Sequence, residues 1–343
     1  MDRNSIKGST IKDVAEMAGV SSATVSHVIN STRYVSDDLT QRVNNAINEL
    51  EYQPNVIARS LRGGGTKSIG LIVPDNSNPF FAQVARVIED KGFGEGYSVI
   101  LCNSNGDIQK EAAYIQILIA KHVDGVIFIA SSNAYEHLQM LSNQNIPMVV
   151  VDREISNLSV DSFHVTNEQG GYDATCYLLS LGHKKIGCIT GPSNLTPSAE
   201  RVNGYRRALI EAVISVREDY IVTGNFRFQG GTSAMNRLLE LPDPPTAVFV
   251  CNDVMAIGAL QSLRNRNVRV PEDMSIIGFD DIELASAVSP KLTTIQQPIV
   301  ELGTQIVKTL IERIKQNDEK NRGTRNILNT TLVIRESCAP PCL

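Results

Sequence analysis

Residues 10–30, TIKDVAEMAGVSSATVSHVIN, decide how the first part of this 343-residue chain folds. Thr10 and Asp13 have the spacing of a capping box, and apolar residues follow at the spacing of one helix face. Gly19 supplies a tight turn, and Ser21 is placed to cap a second short helix. Two short helices joined by a glycine-containing turn form a helix-turn-helix arrangement.

The second helix of this pair has a polar outer face made of small residues. Val25, Val28 and Ile29 form its inward stripe, and a third amphipathic stretch at 39–50 closes a small core. Small side chains let a helix approach the major groove of DNA, where hydroxyl and imidazole groups bond base edges. The residues predicted to face bases are Ser22, Ala23 and His27, and those predicted to face phosphates are Ser21 and Thr24.

The same spacing is compatible with a helical hairpin that only docks on a partner protein. Charge does not separate the two interpretations, because residues 1–64 contain equal numbers of basic and acidic residues. DNA affinity would therefore need dimerisation and a polarised distribution of charge.

Residues 54–66 form a short segment that is too apolar for an ordinary linker. It offers about two helical turns, fewer than an isolated helix needs in water, and its apolar residues have no core to join. Such a segment folds when it pairs with its copy from a second subunit and inserts Leu61 into the minor groove. Arg59 and Arg62 would then lie beside phosphates.

From residue 67 onward, apolar strands alternate with amphipathic helices. The strands SIGLIV, SVILCN, GVIFIA, MVVVD, KIGCIT, AVFVCN and MSIIGF alternate with helical stretches such as 108–121 and 253–265. This alternation of strands and helices predicts parallel sheets that helices cover on both faces. One broad sheet is conceivable, but two lobes suit about 270 residues better.

Polar and aromatic residues follow these strands, where α/β sheets bind ligands. Carboxylates, an arginine and amides beside flat aromatic rings suit a polyhydroxylated ring. Each residue also has a structural interpretation, since strand-end aspartates often cap the next helix and Phe80 and Phe81 could be core. The positions converge, and this favours a binding site.

The segments TIKDVAEMAGVSSATVSHVIN and YQPNVIARSLR resemble the headpiece and hinge helix of LacI/GalR-family repressors, and the resemblance continues to about Ser337. It implies a homodimer that binds double-stranded operator DNA. It also implies an all-α helix-turn-helix headpiece followed by two doubly wound parallel-sheet lobes of periplasmic-binding-protein type. The residues predicted to contact DNA are Thr10, Ser21, Ser22, Ala23, Thr24, His27, Asn30, Asn55, Arg59, Leu61 and Arg62.

The resemblance also implies domain boundaries. The headpiece would span 1–53, the hinge helix and linker 54–66, and the effector-binding and dimerisation domain 67–343. The first lobe would comprise about 67–163 and 294–325, and the second about 166–291 and 328–343. The chain would cross between the lobes near 165, 292 and 327.

Seven motifs, NPFF, VDR, TPSAERVNGYR, GNF, CND, GFDDIELAS and TTIQQP, are similar to ribose-responsive repressors and periplasmic ribose-binding proteins. The resemblance implies a sugar effector, with ribose favoured as an inducer. A purine or other corepressor, or control by a partner protein, stays open. The residues that would hold the effector are Phe80, Phe81, Asp107, Asp152, Arg153, Arg201, Phe226, Asn252, Asp280 and Gln297.

Enzymatic function is not expected, because the sequence lacks the common hydrolase, zinc-protease and phosphate-loop motifs. Its five histidines have no metal-ligand spacing, so neither a cofactor nor a metal is expected. No run approaches the length of a membrane span, and the first residues have no apolar signal core. The six cysteines are expected to be reduced thiols, and reduced thiols indicate a cytoplasmic protein.

Overall fold

The chain divides into two compact units, Met1–Thr66 and Lys67–Leu343, which are described separately. The structure, a computed structural model, describes residues 9–30, 32–52, 65–129, 136–152, 160–192, 195–316 and 323–342.

The first unit contains the three predicted helices, α1 (Ile11–Ala18), α2 (Ser22–Asn30) and α3 (Asp37–Glu49). Thr10 and Asp13 form a reciprocal capping box, and Gly19 ends α1 in the left-handed conformation at φ 63°. The three helices bury one small core, whose fully enclosed members include Val14, Val25 and Val43. The predicted helix-turn-helix shape is therefore confirmed.

The second unit is an α/β structure with twelve strands and nine helices among the residues described. In chain order, its strands are β1 (Ser68–Val73), β2 (Ser98–Asn103), β3 (Gly125–Ile129), β4 (Met148–Val151), β5 (Asp161–Val165), β6 (Ile186–Thr190), β7 (Ile221–Thr223), β8 (Ala247–Val250), β9 (Ser275–Asp280), β10 (Thr293–Gln296), β11 (Arg325–Leu328) and β12 (Thr331–Val333). Its helices are α4 (Pro79–Gly94), α5 (Ile108–Ala120), α6 (Glu136–Asn143), α7 (Asn167–Ser180), α8 (Thr196–Glu211), α9 (Phe228–Leu239), α10 (Asp253–Asn265), α11 (Glu283–Ala287) and α12 (Ile299–Gln316).

These strands form two six-stranded sheets, one in each lobe. The first has the order β11-β5-β4-β3-β1-β2, and the second has the order β12-β10-β9-β8-β6-β7. All pairs are parallel except β10 with β12. The central strands β3, β4 and β8 are buried at every position, because helices cover both faces of each sheet. The predicted two-lobed class is confirmed.

The chain passes between the lobes three times, after β5, after β10 and after β11. The passages after β5 and β11 agree with the predicted positions near 165 and 327. The prediction that the second passage lies near 292, with the first lobe resuming at 294, is wrong. Thr293–Gln296 is a strand of the second lobe, because it pairs in parallel with β9, and the chain leaves that lobe only after it.

Glycine allows two helices of the second lobe to pack unusually closely. A Cβ on Gly204 of α8 would lie 2.0 Å from the carbonyl oxygen of Glu168 in α7, and one on Gly171 would lie 2.2 Å from that of Arg201. The two helices therefore contact each other backbone to backbone, and no larger residue fits at either position. Gly231 and Gly258 make the equivalent contact between α9 and α10.

We predict that Gly204→Ala lowers the free energy of unfolding of the second unit by about 2–3 kcal/mol, because the added methyl group displaces helix backbone. Gly94→Ala is the matched control, since nothing lies within 4 Å of its Cβ position and the residue is exposed at the end of α4. This control should be neutral or stabilising by about 0.5 kcal/mol. Urea denaturation of both full-length variants measures the difference, and equal midpoints would contradict the close contact.

Candidate functional site

The first candidate site is the outer face of α2 in the headpiece. Ser21 and Thr24 lie at its start, where the Ser21 hydroxyl accepts a hydrogen bond from the Thr24 amide at 3.1 Å. Ser21 and Ala23 are exposed, whereas Val25 in the same helix is buried. The inward and outward faces are therefore those predicted, and small side chains occupy the exposed start of the helix.

Several residues predicted to contact DNA also make local hydrogen bonds. The His27 Nδ1 atom lies 2.8 Å from the Thr32 hydroxyl, which fixes the imidazole orientation at the end of α2. The Asn30 amide donates to the Ser26 carbonyl at 2.8 Å, and Thr10 belongs to the capping box of α1. Asn55, Arg59, Leu61 and Arg62 lie outside the described residues.

The second candidate site is a cavity of about 400 Å³ between the two sheets of the second unit. Its lining comes from the carboxyl ends of strands in both lobes, as expected for parallel sheets. Seven of the ten residues predicted to hold an effector line it: Phe80, Phe81, Asp152, Arg201, Phe226, Asn252 and Asp280.

Aromatic rings from both lobes line the cavity. Phe80 and Phe81 begin α4 and lie edge to face, with their ring centroids 5.2 Å apart at 70°. The Phe226 ring lies over Gly191, where a Cβ would come within 2.1 Å of the ring. Phe80 both lines the cavity and belongs to the core of the second unit.

Arg201 is the most completely fixed charged residue of the cavity. Its side chain is 6% exposed, its Nε donates to Asn167 Oδ1 at 2.9 Å, and its Nη1 donates to the Cys251 carbonyl at 2.6 Å. The guanidinium carbon also lies 3.7 Å from the centre of the Phe279 ring. A charge held in this way keeps one orientation toward a ligand.

Asp280 lies beside Arg201, with 3.7 Å between its Oδ1 and Arg201 Nη1. Burial raises the pKa of Asp280 to about 7, and Asp152 contributes in the same direction. Arg201 and the Gln297 amide, which donates to Asp280 at 2.7 Å, act in the opposite direction. A shift of this size at a cavity is typical of a functional group.

Four non-glycine residues of the cavity have positive φ angles: Asn105 at 57°, Asp152 at 59°, Phe226 at 62° and Asp280 at 122°. Each such conformation costs on the order of 1–3 kcal/mol and concentrates at binding sites. Asn252 is fixed differently, because its side chain caps α10 and donates to the Phe226 carbonyl at 3.1 Å. The structure thus holds the polar groups of this cavity in defined positions.

Three residues that were predicted to hold the effector are not among the described residues that line the cavity. Asp107 is not part of the lining, because its carboxylate caps α5 and accepts from the amides of Gln109 and Lys110. Gln297 is buried and its amide donates to Asp280, but Gln297 is not itself part of the lining. Arg153 lies outside the described residues.

The cavity is also lined by Asn105, Asn225 and Arg227, which the sequence pattern did not predict. Asn105 precedes the predicted Asp107 in the tight turn after β2. Asn225 and Arg227 follow β7, a three-residue strand that the sequence pattern did not predict. The available signal was the GNF motif, which contains Asn225 and Phe226.

The chemistry of the cavity is that of a polar, hydrogen-bonding site flanked by aromatic rings. Among the described residues, no group of three or more His, Cys, Asp or Glu side chains could hold a metal ion. Within the same residues, no helix has the length and apolar character needed to cross a membrane.

Comparisons with known proteins match both units. Residues 10–55 match the family described as bacterial regulatory proteins, lacI family, and residues 175–338 match the periplasmic binding protein-like domain. The HTH-type transcriptional repressor PurR of Vibrio atlanticus is 42% identical over 91% of this chain and 94% of its own length.

Solved structures agree with this match. A LacI family regulator from Enterococcus faecium with bound ribose is 35% identical, covers 80% of this chain and 99% of its own, and has a TM-score of 0.73. The Lac repressor dimer bound to operator and the anti-inducer ONPF is 28% identical, covers 97% and 100%, and has a TM-score of 0.87. The identity and coverage of these relatives show that this chain belongs to the LacI family. Because the relatives are regulators rather than enzymes, the chain is a DNA-binding transcriptional repressor.

Proposed function

We propose that this repressor is a cytoplasmic homodimer whose operator affinity is lowered by a small sugar, with ribose as the favoured inducer. The observation that carries the proposal is the arrangement in the cavity of Arg201, Asp280 and Asp152 beside the rings of Phe80 and Phe226. Carboxylates accept hydrogen bonds from hydroxyls while a guanidinium donates to ring or hydroxyl oxygens, and aromatic faces cover the C–H faces of the sugar.

The size and charge of the cavity support a monosaccharide. Its volume of about 400 Å³ is small for a ligand site and suits one ring rather than a chain of several. The cavity lining has three aspartates, Asp75, Asp152 and Asp280, and two arginines, and this near balance of charge favours a neutral ligand that has many hydroxyl donors. The solved Enterococcus faecium relative with bound ribose supports this choice of ligand.

In this proposal, the headpieces of a dimer read two half-sites through Ser22, Ala23 and His27, and the paired 54–66 segments bend the operator centre. Sugar closes the lobes and separates the paired segments. Because binding linkage is reciprocal, the sugar must bind more weakly to the operator-bound protein.

A purine corepressor is the second candidate, and the curated relatives named PurR favour it. A flat purine would stack on the aromatic rings of the cavity, but it offers few hydroxyl donors to the carboxylates. The two candidates predict opposite effects on DNA binding, since an inducer weakens operator affinity and a corepressor strengthens it.

We predict that the purified protein binds D-ribose and not hypoxanthine in isothermal titration, and that ribose weakens its binding to operator DNA. Arg201→Lys should reduce ribose affinity at least about thirtyfold, because a point charge loses roughly 2 kcal/mol of directed hydrogen bonding, while operator binding persists. Binding of hypoxanthine with tighter operator binding would instead establish the corepressor.

We predict that ribose affinity depends on pH through the ionisation of Asp280. Its carboxyl must be ionised to accept hydroxyl donors, so ribose affinity should rise between about pH 6 and pH 7 and then level off above the pKa of about 7. Below that pKa, each pH unit costs up to about tenfold. Titration calorimetry across this range tests the slope. Asp280→Asn, which cannot ionise, should bind more weakly and without pH dependence, and an affinity that falls as pH rises would contradict the assignment.

For the headpiece, we predict that His27→Ala weakens specific operator binding about tenfold and relaxes selectivity at one base position of each half-site. Ribose binding should not change. Asn45→Ala, on the exposed face of α3, is the control for headpiece folding. Fluorescence anisotropy with operator variants measures both properties. If His27→Ala weakens binding to all sequences equally, the residue does not read a base.

A further inference from the structure

We propose that Arg227, Asp75 and Asn105 form a latch that holds the two lobes closed over the ligand. The Arg227 Nη2 atom lies 3.0 Å from Asn105 Oδ1 and 3.3 Å from Asp75 Oδ2. Arg227 belongs to the second lobe and its two partners to the first, so a single guanidinium spans the cleft.

The position of the latch follows from the sheet order. The three passages of the chain adjoin β5, β10, β11 and β12, which lie at one edge of each sheet. Arg227 follows β7 and Asn105 follows β2, and these are the strands at the opposite edges. A contact farthest from the hinge is the first to break when the lobes open, and it therefore acts on closure more directly than a contact near the passages.

The first-lobe side of the latch is held by its own hydrogen bonds. Asp75 Oδ1 accepts from the backbone amide of Ser77 at 3.0 Å and from its hydroxyl, which directs Oδ2 toward Arg227. Asn105 lies in a turn with φ 57°, beside the buried Ser104, whose hydroxyl donates to the Val73 carbonyl. The Asp75 carboxylate and the backbone that carries Asn105 are thus positioned independently of Arg227.

The second-lobe side is fixed as well. Arg227 precedes α9, and its backbone amide donates to Asn225 Oδ1 at 3.0 Å. Its side chain is 59% exposed and that of Asp75 is 20% exposed, so the ion pair is accessible to salt. An exposed charge pair of this kind has a modest energy that salt screens, which suits a contact that must open and close.

The function of the latch rests on the proposed sugar site, because all three residues also line that cavity. Closure by the latch slows the escape of a bound sugar, so it acts mainly on the dissociation rate. The latch also makes effector affinity depend on ionic strength, because salt screens an exposed ion pair. Arg201 does not have this effect, because its side chain is buried.

Charge reversal tests the proposal. Arg227→Asp and Asp75→Arg should each weaken ribose binding by about threefold to tenfold through faster dissociation, and the double reversal should restore most of the affinity. Raising the salt concentration from about 0.05 M to about 0.5 M should weaken binding in the wild type and in the double variant but not in the single variants. Arg266→Asp, which removes an exposed ion pair with Glu240 inside the second lobe, is the control and should match the wild type.

The outcomes separate a latch from a direct ligand contact. If the double reversal binds no better than the single variants, Arg227 acts on the sugar itself and the latch is wrong. Unchanged affinity in both single variants would overturn it equally.

If the wild-type protein binds no sugar, the proposed function fails, and small-angle scattering of the ligand-free proteins decides the latch. Arg227→Asp should then have a larger radius of gyration than the wild type, the double variant and the control. Equal radii would overturn the latch.

Discussion

The second unit encloses a positive charge, and the hydrogen bonds that this charge needs connect several parts of the chain. The guanidinium of Arg201 is almost completely buried, and an ion in that position is tolerated only when its donors are satisfied. Its partners come from separate places in the chain: Asn167 just after the first passage, the Cys251 carbonyl after β8, and the Phe279 ring and Asp280 carboxylate at the end of β9. The effector cavity and the hinge region are consequently parts of one hydrogen-bonded structure.

Much of the fold could be predicted from the sequence, because regular elements depend on local patterns. The headpiece helices follow from a capping box, a glycine turn and one apolar stripe, and the long strands follow from runs of buried apolar residues. Five strands were not predicted: β5, β7, β10, β11 and β12. Of these, β7 and β12 have only three residues each, which are too few for a pattern. Residues 294–296 of β10 were assigned to the first lobe, because the partner of this strand is set by tertiary pairing rather than by its own composition.

The site was only partly predictable, for a physical reason. Residues at strand ends, such as Asp152 and Asp280, can be identified because parallel strands bring their carboxyl ends together. Which of two neighbouring polar residues caps a helix and which one reaches the cavity depends on the backbone angles of the turn. Asp107 therefore caps a helix while Asn105, two positions earlier, reaches the cavity. Arg227 could not be assigned, since its importance comes from a contact across 122 positions of sequence.

The three passages between the lobes have a consequence for how the protein is made. β11 and β12 follow all the other strands in the sequence and complete one sheet each, so neither lobe is a contiguous segment. During synthesis, a ribosome that has released residues up to Gln316 has exposed five strands of each sheet, each with an unpaired edge at β5 or β10. Domains of most multidomain proteins finish folding one after the other as they emerge. Here both sheets need a strand that follows Gln316, so the two lobes reach completion together rather than one after the other.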